Sequence, residues 1–263
     1  MTRRKSEKAA INELELNGAR ITYPTKIAEG FNKFFAEIGP ELSRDIDEFV
    51  NQTNCCFSFR RVTRLHVLSQ LNKLCKRKAT GLDSVSARLL RECADLISGS
   101  LAQSIDTGIF PDEWKSARIT LLFKKAGSRS DPSNYRPISI IPVVAKVFER
   151  IIYDQLYHYL SEHNLLSRYQ SGFRSLHSTV TALIEATDNW SLNIDRGFFN
   201  AVVFLDLKKA IDTVDHNILL SKLQAYGIRG STNQWFCSYL KNRTQTCLVN
   251  GNKSSKMFLR CGV

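Results

Sequence analysis

The sequence has 263 residues, of which 43% are hydrophobic, and its 37 Lys and Arg outnumber 25 Asp and Glu to give a formal net charge of +12. This apolar content suffices for a substantial core and excludes a disordered tail. The excess of positive charge favours a polyanionic partner, for which nucleic acid is the default candidate. The alternative is a basic protein without such a partner.

Three further features bear on the compartment. No run of 18 apolar residues occurs, so we expect no membrane span, and no apolar region follows the basic N-terminus as it would in a secretory signal. The seven cysteines are odd in number and lack paired C-x-x-C spacing. They predict reduced thiols in an intracellular protein, without a zinc site or a disulfide-linked partner. Nucleus and cytoplasm are not distinguished.

The first third of the chain predicts mainly helices. An apolar stripe from Ile27 to Ile38 predicts a helix that ends at Gly39-Pro40, and Thr63 and Ser86 are typical N-caps of two more. The helix after Thr63 ends in four cations before a glycine turn: Lys73, Lys76, Arg77 and Lys78. Such an end can hold phosphate, or it can be an ordinary helix C-terminus where cations favour the dipole. The sequence leaves both interpretations open.

The middle third predicts one strand and two helices. Ala117 to Phe123 is typical of a strand, and residues 124–137 form a long basic segment that we predict to be a loop. A sustained helical period runs from Val143 to Leu160. Ser178 then predicts the N-cap of a helix that ends before residue 197.

The most informative run is Ala201 to Leu207, in which five apolar residues precede Asp206. We predict a buried strand with an acid at its end. An unpaired carboxylate is costly to bury, so Asp206 requires a hydrogen-bond set, a cation or a metal. The residues alone leave a metal ligand and a cap of the following helix equally open. Two helices and a hairpin with an Asn250-Gly251 turn complete the prediction.

Six stretches, taken together and in this order, resemble the reverse transcriptases of non-LTR, LINE-like retrotransposons. The resemblance runs from about residue 20 onward. The stretches are Thr80 to Asp83, Gly108 to Pro111, Asn134 to Ile140, Gln170 to Arg174 with His177 to Thr179, Phe204 to Ala210, and Asp212 to His216.

The resemblance implies an α+β fold, as part of a right-hand polymerase. The expected domains are a helix-rich segment before the fingers over residues 1–115, the fingers over 116–199, and the first strands of a largely antiparallel palm sheet over 200–263. Its implied activity is RNA-directed DNA synthesis, with an RNA template, a DNA primer and dNTP as partners and no membrane.

In that family the aspartate at the position of Asp206 is the catalytic carboxylate and binds both Mg²⁺ ions. The backbone carbonyl of the next residue, here Leu207, helps to hold one of them. Two metals suit the chemistry because they polarise the primer 3′-hydroxyl and neutralise charge on the leaving pyrophosphate. Mg²⁺ takes only one or two protein carboxylates beside the phosphates.

The resemblance also implies a nucleotide-binding set. Arg136 matches the finger arginine that reaches the incoming triphosphate, and Lys146 and Arg174 are further candidates. A guanidinium fork matches phosphate oxygens in a bidentate manner, and the alternative for each residue is a surface cation. Ile211 departs from the family, which usually has Phe or Tyr at this position to exclude a ribose 2′-hydroxyl. A β-branched aliphatic side chain is smaller than either and has a different shape.

A larger departure is that no two aspartates are adjacent anywhere in the sequence. The family carries such a pair in a hairpin that follows a Pro-Gln-Gly turn. The resemblance therefore implies a chain truncated before the Asp-Asp motif and lacking the thumb. We expect it not to bind both Mg²⁺ ions fully and to be inactive as a polymerase by itself. Two alternatives are a non-catalytic nucleic-acid-binding remnant and a fragment without independent function.

Overall fold

The computed structural model describes residues 10–42, 53–107, 109–125, 127–207 and 209–262. The helices are α1 (Pro24–Leu42), α2 (Arg64–Asn72), α3 (Ala87–Glu92), α4 (Ala94–Asp106), α5 (Val143–Glu162), α6 (Thr179–Asp195), α7 (His216–Ala225) and α8 (Gly230–Leu240). The strands are β1 (Leu14–Leu16), β2 (Ala19–Ile21), β3 (Ser116–Phe123), β4 (Tyr135–Ile140), β5 (Thr244–Val249), β6 (Asn252–Lys253) and β7 (Met257–Phe258). The chain divides into two compact units. The larger unit has the residues up to Gln155 and those from Lys209 onward, and the smaller unit is Leu156–Lys208.

A mixed sheet organises the larger unit. Its central strand β3 pairs antiparallel with β4, from Arg118 opposite Ile140 to Phe123 opposite Tyr135. On its other side β3 pairs in parallel with β5, and β5 pairs antiparallel with β6 and β7. The α+β class is confirmed as a mixed fold of helices and a sheet. The right-hand subdivision and the three domain boundaries stay predictions.

Helix α1 covers one face of this sheet. Its residues Ile27, Phe31 and Phe35 are buried together with Ile119 of β3 and Cys247 of β5. The Phe31 ring meets the Tyr135 ring edge-on, with 5.1 Å between their centroids. The predicted end at Gly39-Pro40 was wrong, because α1 continues through Pro40 to Leu42. A proline this close to a helix C-terminus removes one hydrogen bond and leaves few later turns to disturb.

Local signals placed the helix starts correctly. The side chains of Thr63 and Ser86 accept backbone N–H groups at the starts of α2 and α3, and Ser178 forms a capping box with Thr181 at the start of α6. The hairpin turn has Asn250 and Gly251 at positive φ, as its sequence predicts. Each of these signals needs only neighbours along the chain.

Two predictions about strands were wrong. Residues 135–137 of the predicted basic loop belong to β4, where they pair with β3. The run Ala201 to Leu207 forms no strand, and Val203, Phe204 and Leu205 are each at least 80% exposed. A strand requires a neighbouring backbone to hydrogen-bond with, and no strand pairs with this run within the described residues. Within those same ranges, no helix is long and apolar enough to cross a membrane.

Candidate functional site

Asp206 lies on the exposed run of the smaller unit. Its side chain has no hydrogen bond or ion pair within the described part of that unit, and Leu207 is 75% exposed. We predicted a partner for Asp206 because burying an unpaired carboxylate is costly. Since Asp206 is exposed, that argument does not apply. No group of three His, Cys, Asp or Glu that could hold a metal ion occurs among the described residues. What Asp206 offers is a carboxylate open to solvent, and its metal role stays a prediction.

Arg136 points away from the core because of strand alternation. Its neighbour Tyr135 is buried against Phe31, so the next side chain of β4 faces the opposite side of the sheet. Arg136 is exposed, and its guanidinium makes no hydrogen bond or ion pair among the described residues. An exposed guanidinium on a rigid strand can receive a phosphate without first breaking another contact.

Lys146 lies on α5 beside other cations. The flanking residues Ala145 and Val147 are buried, which leaves Lys146 at the edge of the packed face, next to Lys78. Burial lowers the pKa of Lys146, and the charge of Lys78 lowers it further. Two acids nearby, Glu149 and Asp83, oppose this shift. The ammonium group is thus partly desolvated and close to a like charge.

Arg174 is engaged within its own loop. Its Nη1 donates to the carbonyl of Ser167 at 2.9 Å, and its Nε is buried without a hydrogen-bond partner. The loop is tightly turned, since Phe173 and Leu176 both have positive φ. Arg174 therefore holds this loop together, and its predicted role at a triphosphate would require the contact with Ser167 to open.

The segment after Asp206 in sequence belongs to the larger unit and packs against residues 261–262. Ile211 is 59% exposed, and burial raises the pKa of Asp212 while the charges of Lys209 and Lys124 lower it. Asp215 caps α7 by accepting the N–H groups of residues 217 and 218 at 2.8 and 3.1 Å. Asp215 thus has the capping role that we had weighed for Asp206.

The six predicted site residues divide between the two units. Arg136, Lys146 and Ile211 lie in the larger unit, and the other three lie in Leu156–Lys208. Two cationic neighbours of Lys146 were not singled out as site residues, namely Lys78 and Arg150. The signal for Arg150 was its i, i+4 spacing from Lys146 on one helix face, and the signal for Lys78 was the basic end of α2.

Comparison with known proteins identifies the family. The family model described as "Reverse transcriptase (RNA-dependent DNA polymerase)" matches residues 123–263, just over half of the chain. The chain belongs to this family. The matched range includes Arg136, Asp206 and the sheet strands β4 to β7.

The curated relatives belong to mobile elements. The "RNA-directed DNA polymerase from mobile element jockey" of Drosophila melanogaster is 30% identical over 237 residues, which are 84% of this chain and 25% of that protein. The "Probable RNA-directed DNA polymerase from transposon BS" of the same species is 29% identical over 207 residues, 75% of this chain and 22% of the relative. A polyprotein of the type-1 retrotransposable element R2 of Popillia japonica is 33% identical over 158 residues, 59% of this chain and 21% of the relative.

These relatives confirm the predicted resemblance to reverse transcriptases of non-LTR retrotransposons. The chain spans about a fifth to a quarter of the length of each of the three. For this chain, the activity of the complete relatives is therefore a proposal.

Proposed function

We propose that this chain supplies the fingers and the first metal-binding carboxylate of an RNA-directed DNA polymerase of a retrotransposon. The observation that carries the proposal is the family match over residues 123–263, within which Asp206 is an exposed carboxylate that makes no hydrogen bond or ion pair among the described residues. The partners that follow are an RNA template, a DNA primer and dNTP.

The donor chemistry of the Asp206 region fits Mg²⁺. A carboxylate and the backbone carbonyl of Leu207 are hard oxygen ligands, and Mg²⁺ bound with substrate phosphates needs only one or two protein carboxylates. When bound, the metal would supply charge neutralisation at the transferred phosphate and polarisation of the attacking hydroxyl. Asp206 and Leu207 are the residues that would hold it, and the exposure of both leaves room for phosphate and water ligands.

Arg136 is the best candidate for the incoming triphosphate. Its exposed guanidinium is unpaired among the described residues and sits on a strand fixed by the core contact of Tyr135. A bidentate fork on a rigid element suits phosphate oxygens, because little side-chain order is lost on binding. Arg174 would contribute only after it releases Ser167, and Ile211 would leave the sugar edge less restricted than an aromatic residue.

We further propose that these 263 residues do not synthesise DNA by themselves. Two-metal catalysis requires more carboxylate than Asp206 alone provides, and the sequence contains no adjacent aspartates. The second candidate function is nucleic-acid binding without catalysis, which the formal charge of +12 favours. A fragment without independent function is the remaining alternative, and it predicts neither selective metal nor selective nucleotide binding.

Triphosphate binding tests the proposal without requiring turnover. The chain is incubated with an RNA–DNA primer–template, Mg²⁺ and a fluorescent dNTP, and nucleotide binding is measured by anisotropy. We expect Arg136→Gln to weaken nucleotide binding about tenfold or more, as the loss of a charge-assisted bidentate contact should. Arg91→Gln, which removes an exposed arginine of α3, should leave binding unchanged. Equal binding by all three chains would contradict the proposal.

A further inference from the structure

A groove of about 370 Å³ lies between the end of α2 and the first half of α5, within the larger unit. The α2 side contributes Gln70, Lys73 and Lys78, and the α5 side contributes Lys146, Val147 and Arg150. With Leu74 and Asp154 the lining has eight residues, of which four are cationic and one is acidic. Among these four cations only Lys146 belongs to the predicted site residues.

The fold brings these cations together through apolar anchors on both sides. The side chains of Leu71 and Leu74 are buried at the end of α2, and that of Val147 is buried on α5. Between them, Gly81 approaches the chain so closely that a Cβ atom there would lie 2.7 Å from the backbone nitrogen of Pro142. Only glycine permits this approach, which holds the segment carrying Lys78 against the start of α5.

The groove carries more positive than negative charge, although Asp154 lines it and Glu149 and Asp83 lie near Lys146. Arg150 forms an ion pair with Asp154, with 3.0 Å between Nη2 and Oδ1. The side chains of Lys73, Lys78 and Lys146 make no ion pair among the described residues. The pKa of Lys146 is lowered by burial and by the charge of Lys78, and the opposing effect of Glu149 and Asp83 does not cancel this shift. The two ammonium groups therefore repel each other in a partly desolvated place. A bound anion would remove that repulsion.

We propose that this groove binds a phosphate of the polynucleotide backbone, with Lys78 and Lys146 as its central contacts and Lys73 at its edge. The proposal rests on the proposed function for the presence of a nucleic-acid partner. It resolves the two interpretations of the basic helix end in favour of phosphate binding. It also assigns Lys146 to the nucleic acid and not to the incoming nucleotide.

The lining favours a backbone phosphate over a free nucleotide. Lysine ammonium groups act as separate point charges on flexible stems, which suits a diester with one charge per residue. A free nucleotide would also need a surface for its base, which aromatic side chains usually supply. The groove offers only Leu74 and Val147 as apolar lining.

The salt dependence of RNA binding tests this assignment. Anisotropy of a labelled oligouridylate is measured with the full chain in KCl between about 50 and 300 mM. For each phosphate of a single strand that the chain neutralises, the slope of log K against log salt changes by about 0.7. Because Lys78 and Lys146 share one phosphate in this proposal, we expect Lys78→Gln with Lys146→Gln to reduce the slope by about 0.7. The matched control is Lys253→Gln with Lys256→Gln, which removes two exposed lysines of equal charge elsewhere.

The outcomes decide the proposal. A slope unchanged in the groove variant, or reduced equally in the control, would overturn it, as would an absence of RNA binding by the parent chain. If the groove substitutions weaken binding of dTTP but not of RNA, the groove is a nucleotide pocket and the proposal is overturned. Lys146→Arg, which keeps the charge, should preserve the slope. Lys78 is exposed, so Lys78→Gln alone should leave the fold intact. A change of slope in this single variant then reports loss of binding and not loss of folding.

These results are independent of the proposed role of Asp206. A reduced slope in the groove variant together with no effect of Arg136→Gln would contradict the proposed function and leave the groove assignment intact. An altered nucleotide affinity with an unchanged slope would do the reverse.

Discussion

Two apolar runs of this chain differ in strand pairing and in burial. They are β5 in the larger unit and Ala201 to Leu207 in the smaller one. β5 pairs with β3 on one side and with β6 and β7 on the other, and its Cys247 and Val249 are buried. The run 201–207 is at least as apolar, yet Phe204 is 86% exposed and no strand pairs with it in the described structure. Apolar composition alone therefore does not make a strand; backbone partners and a covering layer are also needed.

The difference has a functional side. In β5 the side chains of Cys247 and Val249 are buried in the core cluster that includes residues of α1, and the strand serves as structural support. In the run 201–207 the apolar side chains and the Asp206 carboxylate all remain available to a ligand or to further protein surface. The larger unit thus contains the packed sheet, and the smaller unit contains Asp206, for which we propose the metal-binding role.

Hydrogen exchange should give the largest contrast. Backbone amides in the middle of β5 are expected to exchange on the order of 1,000-fold more slowly than those of residues 202–207, because they open only with a large part of the unit. Exchange measured by mass spectrometry on peptides from the two regions checks this. Equal protection in both regions would break the comparison.

Truncation of matched phenylalanines should give the next largest effect. Phe31→Ala removes a fully buried ring between α1 and the sheet and is expected to lower the free energy of unfolding by about 3–5 kcal/mol. Phe204→Ala should change it by about 0.5 kcal/mol or less. Urea unfolding of both variants is the measurement, and a large loss in Phe204→Ala would mean that the run packs in solution.

Two glycine substitutions, one in each unit, should differ in their effect on stability by a smaller amount. Gly81→Ala places a methyl group against the Pro142 backbone, so we expect a loss of about 1–3 kcal/mol and a weaker RNA salt slope as the groove opens. Gly172→Ala in the smaller unit meets no atom within 4 Å and should be near neutral. Thermal unfolding of the two variants tests this, and similar melting temperatures would argue against the close approach at Gly81.

The sequence predicted what depends on near neighbours. Thr63, Ser86 and Ser178 cap helices as expected, and Asn250-Gly251 forms the hairpin turn. It did not predict the parallel pairing of β3 with β5, since residues 116 and 244 are distant along the chain and no local signal links them. The exposure of Asp206 was missed for the same reason, because burial depends on which surfaces meet.

The site was predictable in part. The motifs identified the family and singled out Arg136, whose outward direction then follows from strand alternation beside Tyr135. The engagement of Arg174 with Ser167 depends on a tight loop with two positive-φ residues, which the sequence does not indicate. The grouping of Lys78 with Lys146 depends on the contact between Gly81 and Pro142, which joins segments about 60 residues apart in sequence.

Metal-directed cleavage tests the role of Asp206 most directly. Fe²⁺ replaces Mg²⁺ in the complex with primer–template and dNTP, and ascorbate with peroxide then generates radicals that cut the backbone beside the metal. We predict cleavage near residues 205–208, lost in Asp206→Asn and retained in Asp188→Asn, which neutralises an exposed acid of α6. Cleavage that persists in Asp206→Asn, or that occurs only elsewhere in the chain, would contradict the assignment of Asp206 as the metal-binding carboxylate.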